Sequence, residues 1–213
     1  MSKSSDGILG RLIAYTHETL GLTPNQLSTL GFVVGMIAAA LVCAGMLLPG
    51  LIAMAISQII DGLDGGVARR YKLETKTGKM LEIVYDRLNE LAIFMALAWA
   101  GYTSYVIVIL AFVAILLVTA LESRSQVDPG FKRFVIYFGY LATLLFHVRG
   151  FEIAMHVIFF ANLSGFAVAT VIVDYRLQRE IDHQVILRRQ VERKMGTPQA
   201  PEDPPSFLSK LFS

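Results

Sequence analysis

Long stretches without a single charge alternate along this chain with short stretches crowded with charges. No Asp, Glu, Lys or Arg occurs from Thr19 to Ile60, from Leu91 to Leu121, from Phe134 to Val148 or from Ile153 to Val173. A helix that spans the hydrocarbon core of a bilayer needs about 20 mostly apolar residues. The first two runs each hold two such helices once they are divided at Pro49-Gly50 and at Gly101-Tyr-Thr-Ser104. The third run holds a short helix and the fourth a comfortable one. The pattern predicts an all-α integral membrane protein with six transmembrane helices, over about 26–48, 51–69, 79–100, 104–123, 131–148 and 152–175. Ahead of them, Ile8-Leu-Gly-Arg-Leu-Ile-Ala-Tyr15 reads as an N-terminal amphipathic helix lying in the membrane interface. Thr23-Pro24 supplies an N-cap followed by proline at the first helical position. Residues 176–195 read as a charged amphipathic helix leaving the last span, and the Pro-rich 196–213 as a disordered tail. Residues 1–195 are thus expected to form one membrane domain.

Composition agrees: 54% of the residues are hydrophobic and only 17% charged, which places the chain in the membrane class. The net charge of +2 says little as a total, but its distribution sets an orientation. Six spans put both termini and two basic loops on one side, and that side holds 17 of the 19 Lys and Arg residues. By the positive-inside rule it is the cytoplasmic side of the cytoplasmic membrane. Trp99, Tyr102 and Tyr105 then form an aromatic belt at the opposite interface, where His147 and Arg149 also fall. The N-terminus does not read as a cleaved secretory signal, since the apolar stretch starts too late and no small-residue cleavage site follows a short apolar core. The single Cys43 lies in a predicted span as a packing residue and excludes an intrachain disulfide. Gly31-x3-Gly35, followed by Ala38-Ala-Ala40, predicts a close helix contact.

Against this apolar background four carboxylates stand out. Asp61 and Asp64 are three residues apart on one predicted helix, so they share a face that Ala68 continues. Glu82 and Asp86, four apart on the next, share another that Glu90 extends. Each ionised group near the bilayer centre costs at least about 2.5 kcal/mol, so a function is implied. Acids gathered at one depth repel one another unless cations lie among them. Four hard oxygen donors suit Mg²⁺, Mn²⁺ or Ca²⁺ rather than zinc, which takes mainly Cys and His. Mg²⁺ commonly completes its shell with phosphate oxygens, which makes a phosphate ester the expected ligand. Gly65 and Gly66 leave the backbone open to close approach, and Arg69 with the 70–79 cations can pair with phosphate.

The stretch Asp61-x2-Asp64-Gly65-x2-Ala68-Arg69-x8-Gly78-x3-Glu82-x3-Asp86 resembles the signature of the CDP-alcohol phosphotransferases, also called CDP-alcohol phosphatidyltransferases. Seven of its eight fixed positions match. The resemblance covers about residues 20–175 and implies six spans with both ends in the cytosol. It implies transfer of a substituted phosphate from a CDP-linked lipid, such as CDP-diacylglycerol, to the hydroxyl of a small alcohol, with release of CMP in phospholipid synthesis. Position by position, it implies that Asp61, Asp64, Glu82 and Asp86 hold two Mg²⁺ or Mn²⁺ ions. Asp61, Gly65, Ala68, Arg69 and Gly78 would bind the CDP group, and Asp86 would be the catalytic base. Membrane lipids and a homodimeric partner belong to the same expectation, and nucleic acid does not.

One position departs from the signature. Glu82 stands where the family has Asp, and its oxygens reach about 1.5 Å farther by ordinary bond lengths. Arg124, Lys132 and Arg133, at the ends of spans four and five, are either lipid anchors or the pocket for a phosphorylated acceptor. Asn89 and Glu90 read as helix-packing polar groups rather than ligands. Two other functions fit an acidic membrane helix. An intramembrane prenyltransferase would need more spans and gives Gly-x2-Ala-Arg no role. A divalent-cation transporter would need polar groups across the whole bilayer, and the far halves of these spans are nearly uniformly apolar.

Overall fold

A computed structural model of the chain describes residues 7–130 and 132–195; the tail from 196 onward lies outside the described residues. Those residues are helical and carry no strand. A short helix α1 (Ile8–Ala14) runs into one π-helical turn (Tyr15–Thr19), and six helices follow. They are α2 (Pro24–Cys43), α3 (Leu47–Tyr71), α4 (Lys76–Trp99), α5 (Tyr105–Ser125), α6 (Lys132–Phe146) and α7 (Gly150–Met195).

Four of them, α2, α3, α5 and α7, are long and apolar enough to cross a membrane. The other two fall short for separate reasons. The first 15 residues of α4 carry Lys76, Lys79, Glu82, Asp86, Arg87 and Glu90, so only its second half is lipid-like. With 15 residues, α6 is about 22 Å long, less than the roughly 30 Å hydrocarbon thickness. The last span and the charged amphipathic segment, expected as two pieces, are one unbroken helix of 46 residues. Nothing between Asp174 and Met195 stops a helix: the segment holds neither Gly nor Pro.

Helix starts follow the sequence closely. Thr23 caps α2 by accepting the Gln26 N–H at 3.4 Å, while the Gln26 side chain accepts the Thr23 N–H at 2.9 Å, and Pro24 occupies the first turn. Thr75 caps α4 through the Gly78 N–H at 3.0 Å. Ser104 caps α5 through the Ile107 N–H at 3.4 Å, and the Glu152 carboxylate accepts from the Ser104 N–H at 2.8 Å. Helix α3 ends on Lys72 in the left-handed conformation (φ 56°).

Packing divides the bundle into two groups. Helices α3 and α4 both pack on α2, and α5 and α6 both pack on α7. The small-residue stripe on α2 is the contact surface within this subunit. A Cβ at Gly31 would lie 3.5 Å from the Ser57 carbonyl on α3, and one at Gly35 would lie 2.5 Å from the Asn89 side chain on α4. Ser57 Oγ adds a 2.7 Å hydrogen bond to the Gly31 carbonyl. One apolar core, built on Ala38, Val42, Met54, Phe94, Leu97, Ile115, Ile136, Phe151 and Ile158, ties the two groups together. A second, smaller cluster joins Ile13 of α1 to Leu27, Leu63 and Val67 beside the signature. Cys43 is the last residue of the α2 span but is exposed there and not packed.

Large apolar side chains on the outside, among them Ile37, Ile52, Val106, Phe138 and Phe160, are about half exposed or more. That inverted surface is what a lipid-facing bundle requires. Trp99 is also exposed, at the end of α4 opposite the signature, as a belt residue would be.

Candidate active site

The eight signature positions straddle the turn between α3 and α4, Asp61 to Arg69 on the way into it and Gly78 to Asp86 on the way out. Each of the two helices packs on α2 more than on the other. A cavity of about 500 Å³ therefore opens between them, floored by the start of α2. Asp64, Gly65, Ala68 and Arg69 line it from α3, and Gly78, Lys79 and Glu82 from α4. Pro24, Asn25 and Ser28 line it from α2, and Glu74, Thr75 and Lys76 close its mouth.

Both signature glycines have a steric reason. A Cβ on Gly65 would sit 3.1 Å from Arg69 Nη1, so the bare position lets the guanidinium fold back along its own helix into the cavity wall. A Cβ on Gly78 would sit 2.9 Å from Thr75 Oγ1 and 3.0 Å from Asn25 Oδ1, so its absence brings the first turn of α4 against α2. Gly66 serves another neighbour: Ile13 of the N-terminal helix fills the space that a side chain there would take. The same N-terminal segment is tied to the end of α3 by Arg70 Nη1, which donates to the Gly10 carbonyl at 2.9 Å, and by Tyr71 Oη, which donates to Glu18 at 2.5 Å.

The four acids do not gather into one cage. Asp64 and Glu82 line the cavity, Asp64 with only 3% of its surface exposed. Asp61 and Asp86 are instead drawn to Arg133, which reaches over from α6. Arg133 Nη2 donates to Asp86 Oδ1, and Nη1 lies 3.8 Å from Asp61 Oδ2. Among the described residues, no three Asp, Glu, His or Cys side chains stand close enough together to enclose one ion. The physical reason is the buried guanidinium, a cation that satisfies Asp61 and Asp86 from the α6 side. The donor set nevertheless suits a hard divalent cation: all four groups are carboxylates, and Asp64 Oδ1 is buried with no hydrogen-bond partner.

Of the three basic residues expected at an acceptor pocket, the structure brings only Arg133 to the acids. Lys132, also buried, pairs with Asp128 at 3.3 Å. Arg124 is exposed at the end of α5, where its carbonyl accepts from the Arg176 guanidinium. In the loop between α5 and α6, burial pushes the Asp128 carboxyl upward, but the Gly130 N–H and the Lys132 ammonium together hold it below the ordinary carboxylate range. Beneath the site, Arg87 pairs with the buried Glu90 at 3.0 Å and donates to Thr119 Oγ1 at 3.4 Å. Asn89, also buried, packs against Gly35 of α2. Sequence reasoning missed Ser28, whose Oγ donates to Asp64 Oδ2 at 2.5 Å across the helix contact.

Comparison with known proteins places this arrangement. The CDP-alcohol phosphatidyltransferase family model matches residues 21–173. The archaetidylinositol phosphate synthase of Pyrococcus horikoshii is 30% identical over 115 residues, which cover 54% of this chain and 61% of that protein. The match thus spans about three fifths of this relative's length. Among solved structures, the phosphatidylinositol phosphate synthase of Mycobacterium tuberculosis with CDP-DAG bound has the same fold, with a TM-score of 0.65 at 21% identity over 78% of this chain and 93% of that one. The same enzyme in complex with manganese and citrate gives a TM-score of 0.64 at 21% identity, over 76% and 87%. With a family model matched over residues 21–173 and four helices long and apolar enough to cross a membrane, this chain is an integral membrane member of the CDP-alcohol phosphatidyltransferase family.

Proposed function

We propose that this protein transfers a phosphatidyl-type group from a CDP-linked lipid to the hydroxyl of a small, phosphorylated polyol and releases CMP. The observation that carries the reading is the cavity between α3 and α4: six of the eight signature positions line it together. The relatives act as guides to the substrates. One is named for synthesis of archaetidylinositol phosphate, and a structural neighbour holds CDP-DAG. Inositol phosphate is therefore the first acceptor to test.

In this reading the CDP head group enters the cavity, where Gly65 and Ala68 permit close approach and Arg69, Lys76 and Lys79 pair with phosphate oxygens. The lipid chains lie along the apolar outer faces of the same helices, where Ile59, Met80, Val84 and Leu88 are exposed. The acceptor oxygen attacks the phosphorus that bears the lipid. A new P–O ester forms, the bond from that phosphorus to the CMP oxygen breaks, and CMP departs with the electron pair. The acceptor's proton passes to Asp86, which Arg133 holds in place. Asp61, Asp64, Glu82 and Asp86 would hold two Mg²⁺ or Mn²⁺ ions, and bound metal would neutralise the pyrophosphate as it is cleaved. A carboxylate so close to cations is a weak base, so Asp86 acts largely by orienting the hydroxyl.

Further parts of the reading are a single domain over 1–195, six spans counting α4 and α6, a homodimer, and both termini with the active site on the cytoplasmic side. The basic end of the bundle supports that orientation, since the charges of the 69–79 and 124–133 segments lie there with the signature.

The direct test is purified protein with CDP-diacylglycerol or CDP-archaeol, inositol phosphate, and Mg²⁺ or Mn²⁺, with CMP release measured. Release that depends on acceptor and metal is the expected result; none with any phosphorylated polyol would refute the reading. Glu82 gives a second check. Its side chain is exposed at the cavity wall, so the extra methylene has room. Glu82→Asp is expected to retain activity, whereas Glu82→Gln loses most of it. A large gain in Glu82→Asp would mean that the natural side chain is a handicap.

A further inference from the structure

We propose that Ser28 is a positioning residue that fixes which oxygen of Asp64 faces a divalent cation in the cleft. The inference rests on the metal-dependent reading above and concerns a residue outside the signature. Ser28 sits one turn into α2, on the face turned toward α3, and is itself buried. Its hydroxyl has one proton and two acceptors within reach: Asp64 Oδ2 at 2.5 Å and the Pro24 carbonyl at 3.1 Å. The shorter contact is to a carboxylate, and a hydrogen bond to an ionised acceptor is the stronger of the two. The proton therefore belongs to Asp64.

The consequence is an asymmetric carboxylate. The terminal torsion of an Asp side chain is broad and nearly two-fold, so nothing intrinsic distinguishes its two oxygens. Ser28 occupies Oδ2. Oδ1 remains buried with no hydrogen-bond partner, in a residue that is 97% enclosed and lines the same cavity as Glu82. A buried carboxylate oxygen left unpaired is unfavourable unless a ligand takes it. A divalent cation with hard-oxygen preference is the ligand class that a lone carboxylate oxygen in this cleft would take. Ser28 thus holds Asp64 as outer-shell partners commonly hold metal-ligating carboxylates, by a hydrogen bond that fixes their orientation.

The test is Mn²⁺ binding to the purified full-length protein in detergent, without donor or acceptor, followed by electron paramagnetic resonance of the free ion. Ser28→Ala is expected to weaken Mn²⁺ binding by about 10- to 100-fold. Ser28→Thr keeps the hydroxyl and is expected to restore binding close to that of the natural protein. A merely structural role would lower the metal-free melting temperature of Ser28→Ala but leave its Mn²⁺ affinity intact. Unchanged affinity in Ser28→Ala, or a Thr variant as weak as the Ala variant, overturns the proposal. If the natural protein itself bound no Mn²⁺, the metal reading of the cleft would fall and this inference with it. A bound wild type beside an unaffected Ser28→Ala removes Ser28 alone.

Discussion

Replacing Asp86 with Asn should lower kcat for CMP release by about 10²- to 10⁴-fold, the range typical of a lost general base. The substitution is nearly isosteric and removes one negative charge. Asp86 does not line the cavity proposed for the CDP group; it stands toward α6, with its carboxylate engaged by Arg133. The KM for the CDP-linked donor should therefore move much less than kcat. Initial rates with donor and acceptor varied separately provide the measurement. A donor KM that rose in proportion to the loss of rate would assign Asp86 to donor binding instead of proton transfer.

The second large effect is expected at Arg133. This guanidinium is 9% exposed and lies between the carboxylates of Asp61 and Asp86. Removing one partner of a buried ion pair commonly costs about 3–5 kcal/mol, because the charge left behind is uncompensated. Arg133→Gln leaves two acids facing each other without their cation. The metal-free protein in detergent should melt well below the natural one, and Mn²⁺ should raise the melting temperature of the variant more than that of the natural protein. The kinetic signature separates this from simple damage: the KM for a phosphorylated acceptor should rise more than the KM for the donor. Equal rises in both would remove Arg133 from the acceptor side of the site.

The fold was legible wherever charge-free length decided it. Four helices of sufficient length and hydropathy, the Thr23-Pro24 start of α2 and the close contacts at Gly31 and Gly35 are all readable from spacing and side-chain size. The unbroken α7 was not, because the change from apolar to charged at Asp174 brings no residue that ends a helix. That the signature positions of two successive helices lie near one another was legible from their spacing, and six of the eight line one cavity. The split of the acids was not: it depends on Arg133, which lies 47 residues from Asp86 and reaches it only through the packing of α6. The same limit hid Ser28, 36 residues from Asp64. A hydroxyl one turn into an apolar helix was the available signal, but the backbone carbonyl four residues earlier explains most such residues locally. Arg124, Lys132 and Arg133 look alike in sequence, yet Arg124 ends α5 exposed, while a one-residue offset on α6 gives Lys132 a partner in Asp128 and Arg133 a place among the acids.

The division of the bundle into two three-helix groups has a mechanical corollary. Apolar contacts clamp the groups together around Phe94, Leu97, Ile115 and Phe151, whereas near the signature guanidinium groups bridge them, Arg133 to Asp61 and Asp86 and Arg87 to Thr119. Such a molecule behaves like forceps: one end is glued, and the jaws are shut by a latch that an anion can compete for. Amide protons in the first turns of α4 and α6 should accordingly exchange with solvent faster than those around Phe94, since opening there breaks mainly polar and ionic contacts.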